Sequence, residues 1–407
     1  MASTTQTPHA SHAGESTVGQ PDNSVSCYRK VIGRLGSLGR RDNRPKRVFA
    51  PVPKTSQGRL DASLHDAPLD ASAITPSDVS AAREKGKTVL YLAYGSNLCN
   101  ETFRGVRGIK PLSQVNVLVP SLRLTFDLAG IPYAEPCFAN SARRTPSAPA
   151  PSPDEPHYHK DRWQKGLVGV VYEVSLSDYA HIIATEGGGA SYHDILIDCH
   201  VLPAAPTVPS HPTTAPFKAH TLFAPAVRPA EARAADRIAR PDPSYAQPSA
   251  RYLKLITDGA AECELPAEYQ EYLHNIRPYT ITTRKQLVGK ALFMAIWTPF
   301  ILMVFTMSRR LQDDKGRAPK WFARLAAMIF AGMWASYDGV FRETFGDGER
   351  TIGDRMDGLR MERPYNDEGV SSDRDAEKDS LLEDAVATLD DLAGQEKAEV
   401  KTGDLLV

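Results

Sequence analysis

"VLYLAYGSNLCN", residues 89–100, is a strand-forming run that stops abruptly. Val89, Leu90, Tyr91, Leu92 and Ala93 favour a pleated, partly buried strand. Gly95, Ser96 and Asn97 then break it, and each can expose backbone N–H groups in a tight turn. A strand feeding a small-residue turn is one way to build an anion-binding concavity from main-chain amides. A plain β-turn, the commoner use of such residues, fits the same stretch.

The chain has 407 residues and a formal net charge of -1. That length suits more than one folded unit, and the charge balance predicts no nucleic-acid partner. Five cysteines (Cys27, Cys99, Cys137, Cys199, Cys263) are scattered singly. Such scatter argues against a zinc site or a disulfide framework and fits a reducing compartment. The first residues contain no apolar run of the signal-peptide type. The basic stretch Arg29–Arg47 reads as a solvated arm.

Composition divides the chain. Residues 1–86, rich in Ser, Thr, Ala, Pro and charge, read as a disordered arm because they offer little apolar surface to offset chain entropy. Residues 87–277 read as a folded domain. Within it, "SQVNVLVPSLRLTFDLAG" (113–130) holds two strand-like runs broken at Pro120. Pro-rich polar insertions are expected near 144–162 and 203–243, with a short strand at 219–225 inside the second. His157 and His159 sit in the first insertion, where an i, i+2 pair is usually solvated. Gly166–Val174 reads as a strand and Ser177-Asp178 as the cap of a short helix to about Ala184. Glu186 and three glycines follow, then a strand from Tyr192 to Leu202. Residues 247–275 read as two helical pieces, with Pro266 near the start of the second.

Beyond Pro278 the pattern changes. "ALFMAIWTPFILMVFTMS" (291–308) has no charged residue, and as a helix it would reach about 27 Å. Arg284, Lys285, Lys290, Arg309 and Arg310 flank it, as in a membrane anchor with snorkelling ends. Pro299 is tolerated more easily in a membrane helix than in a soluble one. A buried core helix is the alternative; no neighbouring segment offers it a partner core. A second run, "WFARLAAMIFAGMWASY" (321–337), is interrupted by Arg324. The membrane-associated helical segment is therefore placed at 287–341, and 342–407 is read as a charged disordered tail.

Few residues in the folded part are poised for chemistry. Glu186, between a helix end and three glycines, can lie at a pocket rim and act as general acid and base if burial raises its pKa. Ser96 lacks the G-x-S-x-G setting of a nucleophile elbow. Nothing near Cys99 in the sequence lowers its pKa, so it reads as a small core residue. His193 and His200, seven apart on one strand, face opposite sides.

Three blocks resemble the gamma-glutamylcyclotransferase family: "YLAYGSNL" (91–98), "GVVYEVSLSDYAHIIATEGGGASYH" (169–193) and "PSARYLKLITDGAAECELPAEYQEYL" (248–273). Their order and spacing agree with the family once the Pro-rich insertions are removed. The resemblance implies an α+β domain, a mixed-sheet β-barrel with packed helices, to which this chain adds one or two C-terminal apolar helices and disordered termini. It implies a carbon–nitrogen lyase that closes the substrate's α-amine onto its γ-carbonyl, releasing 5-oxoproline and an amine without metal or cofactor. On the family pattern Glu186 is the acid/base residue, and Tyr94, Gly95, Ser96, Asn97, Leu98 and Tyr192 hold substrate. The partner implied is a gamma-glutamyl small molecule or peptide. Similar fungal members extend this to glutathione adducts.

The family's Trp-Gly-Gly segment between the first two blocks is absent, and "FDLAGIPYAEPCFANS" (126–141) stands in its place. The leading expectation is a membrane-associated enzyme tethered through 291–308 with its catalytic domain in the cytosol. A non-catalytic membrane-tethered binding module, or a hydrolase or transferase of gamma-glutamyl compounds, is the alternative.

Overall fold

The computed structural model of the protein describes residues 47–69, 76–145, 160–185, 193–224, 240–311 and 319–351. They belong to one compact unit, Arg47–Met361. Glu186, Tyr192, His157 and His159 lie outside the described residues, as do 1–46 and 352–407.

Two short helices come first, α1 (Gln57–Ala62) and α2 (Pro76–Glu84), and β1 follows at Thr88–Ala93. Next are β2 (Ser113–Val119), β3 (Leu122–Ile131), β4 (Glu135–Arg143) and β5 (Leu167–Ser175). Helix α3 (Leu176–Thr185) precedes β6 (His193–Val201) and β7 (Pro216–Phe223). The strands β1-β5-β2-β6-β7 close into a barrel, and β3 and β4 form a separate hairpin. Antiparallel pairing runs around the barrel except at its seam, where β1 meets β7 in parallel at Tyr91 and His220. The sheet is mixed for that reason.

Strand β1 is buried from Val89 to Ala93 without alternation. A barrel interior takes one face, and the other is covered by α3, which packs on both β1 and β5. A continuous apolar run is what such a doubly covered strand requires. The break at Pro120 separates β2 from β3 as the sequence predicts.

Two expectations are corrected. Residues 47–69 and 76–86, read as part of a disordered arm, are ordered against the barrel. Lys54 bridges Gln114 of β2, and Leu60 of α1 is buried in the main core. Arg59 Nη2 donates to the Thr88 carbonyl at 3.0 Å. One buried leucine and several polar bonds hold this segment, too sparse a signal to show as periodicity. Within the expected 203–243 insertion, β7 begins at Pro216 and pairs with β6 along its length. It closes the barrel.

The C-terminal half adds α4 (Ala250–Glu262) and α5 (Ala267–His274), the latter capped by Pro266. Helix α6 (Arg284–Leu311) follows, then α7 (Lys320–Ser336), a π-turn at Tyr337–Phe341, and α8 (Arg342–Phe345). The helical chain thus runs past 341, and residues to Thr351 are ordered behind it. The apolar run on α6 also has a partner core. Phe293, Ile301, Met333, Trp334, Tyr337 and Phe341 cluster with Tyr133, the tip of the β3–β4 hairpin.

Leu60→Ala is expected to cost about 2–5 kcal/mol in denaturant unfolding, the usual range for a buried leucine. A solvated arm would show no change.

Candidate functional site

Strand β1 delivers its chain end into the turn singled out by the sequence. Ser96–Leu98 form one 3-10 turn, closed by the Leu98 N–H to the Gly95 carbonyl at 3.0 Å. Tyr94 is buried, and its hydroxyl donates to Ser141 Oγ at 3.1 Å and to the Leu222 carbonyl at 3.3 Å. Asn97 turns inward and donates from Nδ2 to Tyr91 Oη at 2.9 Å. Leu98 is fully buried. Only Gly95 and Ser96 of the five are partly exposed. The turn therefore has a clamped underside and an accessible Gly-Ser surface.

Helix α4 supports it from below. A Cβ on Gly259 would lie 2.5 Å from both Cys99 N and the Leu98 carbonyl carbon, so only glycine lets the helix approach this closely. Ser249 caps α4 through the Tyr252 N–H at 3.0 Å. Three residues further on, Tyr252 Oη accepts the Ala139 N–H at 3.1 Å, and its ring meets Phe138 edge-on at 5.0 Å. Gly95 faces this pair: a Cβ there would sit 3.5 Å from Ala139 Cβ and 3.5 Å from Tyr252 Oη, an ordinary contact distance. Neither crowding nor its φ of -109° demands glycine at 95. What glycine leaves there is bare backbone.

Another carboxyl sits on the β3–β4 hairpin. Asp127 of β3 accepts from Asn140 Nδ2 at 2.8 Å, and the same amide group donates to the Ala224 carbonyl at 2.7 Å. Burial pushes the Asp127 carboxyl above the usual carboxylate range. Cys99 is buried behind the turn, and burial pushes its thiol up, which disfavours the thiolate.

The expected acid/base loop itself is outside the described residues, yet both flanks are visible and tied together. Tyr179 of α3 donates a short hydrogen bond to Asp194 at the start of β6. His220 Nδ1 of β7 lies 2.9 Å from Asp194 Oδ2, and the Leu69 N–H donates to the same oxygen at 3.0 Å. Burial, reinforced by Asp194, raises the Tyr179 hydroxyl far above its ordinary pKa. The Tyr179 ring is 5.9 Å from Tyr91, which holds Asn97. The turn and the loop flanks are parts of one buried network.

Sequence reasoning placed the turn and missed these supports. Tyr252 stood in the third quoted block, where Ser249 at a helix cap and an aromatic residue three positions later were a usable signal. Asp194 and His220 are far apart in sequence and gave none. His200, flagged with His193, is half-buried and bonds the Thr214 carbonyl.

A family model described as the AclK C-terminal domain matches residues 283–343. The gamma-glutamyl cyclotransferase aclK of Aspergillus oryzae is 31% identical over 274 residues, covering 65% of this chain and 92% of the relative. The gamma-glutamyl cyclotransferase gliK of Aspergillus fumigatus is 31% identical over 264 residues, covering 64% and 89%. A solved structure titled gamma-glutamyl cyclotransferase is 20% identical, covers 48% of this chain and 92% of its own, and has a TM-score of 0.32.

Gly259→Ala should destabilise the fold by about 1–3 kcal/mol through overpacking against the turn. Gly58→Ala, where a Cβ meets nothing within 4 Å, should be neutral or slightly stabilising. Thermal unfolding of both variants checks the pair.

Proposed function

The chain belongs to the gamma-glutamyl cyclotransferase family, and on that premise we propose that it converts gamma-glutamyl amides to 5-oxoproline and a free amine. The observation that carries the reading is the partly exposed Gly95-Ser96 segment, set on a clamped turn beside Ala139 and Tyr252. The substrate's α-ammonium loses a proton to the Glu186 carboxylate and becomes the nucleophile. It attacks the γ-carbonyl carbon, and a tetrahedral oxyanion forms. The C–N bond to the amine then breaks as Glu186 returns that proton to the leaving nitrogen, and the surplus proton of the ring nitrogen passes to the released amine, which departs as an ammonium. No water is consumed. One carboxyl can serve both steps because it alternates between base and acid.

Ring closure is intramolecular, so a folded glutamyl chain supplies much of the acceleration. Main-chain amides of Gly95–Asn97 would hold the α-carboxylate or the oxyanion. Tyr192 would line the glutamyl group. Leu98, buried beneath the turn, would contribute by anchoring it. The substrate class is a gamma-glutamyl small molecule or peptide, S-substituted glutathiones included.

The C-terminal segment would tether the enzyme to a membrane with the catalytic domain in the cytosol. Arg284–Met307 has the length and apolarity to cross a bilayer, and most of its apolar run is not buried in the protein. Val288, Leu292, Ile296, Phe300 and Met303 recur at helical spacing and are 38–52% exposed. They form one outward apolar stripe, opposite the face that packs on Tyr133. Flotation of the full chain with phospholipid vesicles should carry the protein upward. A chain that stays at the bottom with the vesicles present overturns the tether.

Incubation with a panel of gamma-glutamyl dipeptides and S-substituted glutathiones should yield 5-oxoproline by mass spectrometry. Glu186→Gln should lower turnover by roughly 100-fold or more, the usual scale of acid–base catalysis. Asp127→Asn should keep it within about tenfold if Asp127 takes no part in proton transfer. Loss in the second variant alone would move the proton-transfer role to Asp127. Gly95→Ala, which the fold accommodates, should unfold like the parent and lose roughly tenfold or more in kcat/KM through the bare amide it covers.

A further inference from the structure

The β3–β4 hairpin spans two places at once. Its base lies on the substrate turn, where Ala139 donates to Tyr252 and faces Gly95, and Ser141 accepts from Tyr94. Its tip, Tyr133, is buried in the C-terminal helices, in the turn before β4, whose first residue Glu135 is about 13 Å along the strand from Ala139 at 3.3 Å per residue. This hairpin contains the stretch 126–141 that the resemblance sets against the family's Trp-Gly-Gly segment.

The tip is held with unusual care. Tyr133 adopts a φ of 64°, a conformation that costs an aromatic residue energy and persists only where the surroundings enforce it. Its N–H donates to the Gly348 carbonyl at 2.8 Å. Its hydroxyl lies 2.7 Å from the Gly346 carbonyl and 3.0 Å from that of Phe341. The ring packs at 5.8 Å from Phe293 of α6 and edge-on at 5.6 Å from Tyr337. A Cβ on Gly348 would come within 3.0 Å of that ring.

The receiving surface is itself locked to the catalytic domain. Arg240 pairs with Asp338 at 2.7 and 2.8 Å and with buried Glu349 at 2.6 and 3.1 Å. Its guanidinium stacks 4.1 Å above Trp334. Gln247 donates from N–H to the Glu349 carbonyl at 2.8 Å and accepts from Thr351 at 2.9 Å. At the other end of the hairpin turn, Glu135 binds Ser249 and Arg251, the first residues of the helix that carries Tyr252.

We propose that the C-terminal helical segment is a brace for the substrate site: by gripping Tyr133 it fixes the β3–β4 hairpin as the wall facing Gly95. Tyr133 is thus a positioning residue, and the segment has a role in substrate acceptance apart from any membrane. The proposal rests on the cyclotransferase reading of the turn. An unbraced hairpin leaves the proton-transfer group alone but lets the wall drift, so substrate binding suffers more than turnover.

The test uses full-length Tyr133→Phe, which removes the hydroxyl, and Tyr133→Asn, which removes the ring while suiting a positive φ. Amide exchange at Ala139 is expected to accelerate roughly tenfold or more in Tyr133→Asn, with Leu90–Leu92 of β1 unchanged. KM should rise roughly tenfold while kcat stays within about twofold, with Tyr133→Phe intermediate. Unchanged exchange at Ala139 in both variants overturns the brace, as does an unchanged KM or a parallel fall in kcat and thermal stability. Wild-type protein that releases no 5-oxoproline would sink the cyclotransferase reading, while the exchange result would still judge the brace.

Discussion

Burial of β1 on both faces is the constraint from which the site follows. Because Val89–Ala93 are enclosed between barrel and helix, the strand cannot slide without exposing its apolar residues. The turn that follows is therefore delivered to a fixed place. Tyr94 and Asn97 fasten it sideways and inward, and Gly259 lets α4 press on its underside. What stays partly accessible is the Gly95-Ser96 segment, on the proposed reading a rigid surface whose donors need no reorganisation to meet a developing charge.

A second level of construction surrounds that core. The Tyr179–Asp194–His220 cluster ties together the flanks of the loop that carries Glu186. The Arg240–Asp338–Glu349 cluster joins the C-terminal helices to the catalytic domain. Asp194 and Glu349 are buried in these clusters with their partners in place, and removal of one partner from such a group is far more costly than its presence is beneficial. The helix that presents an outward apolar stripe is the same helix whose inner face grips the hairpin tip, so a surface-seeking element and a site-shaping element share one segment.

Much of this was legible in the sequence, for reasons that differ by residue. β1, β2 and β5 announce themselves because Val, Leu and Tyr runs end at Gly, Ser or Pro. The turn was legible as a motif and its amide chemistry as a consequence. β7 was legible as a short strand, its earlier start masked by Pro216 and the prolines before it, and α1 was hidden by having Leu60 as its only buried apolar residue. Asp194 with His220, and Tyr133 with Gly346 and Gly348, are pairings across 26 and more than 200 residues. No local pattern encodes them. The apolar run on α6 suggested a membrane because its partner, a tyrosine in a distant hairpin, carries no mark of that role in the chain.

Cyclisation without water is the central claim, and isotope-labelled solvent tests it most directly. A gamma-glutamyl substrate turned over in water enriched in oxygen-18 should release 5-oxoproline of unlabelled mass together with the free amine. Glutamate carrying one heavy oxygen in its side-chain carboxylate would show hydrolysis instead, and would contradict the account.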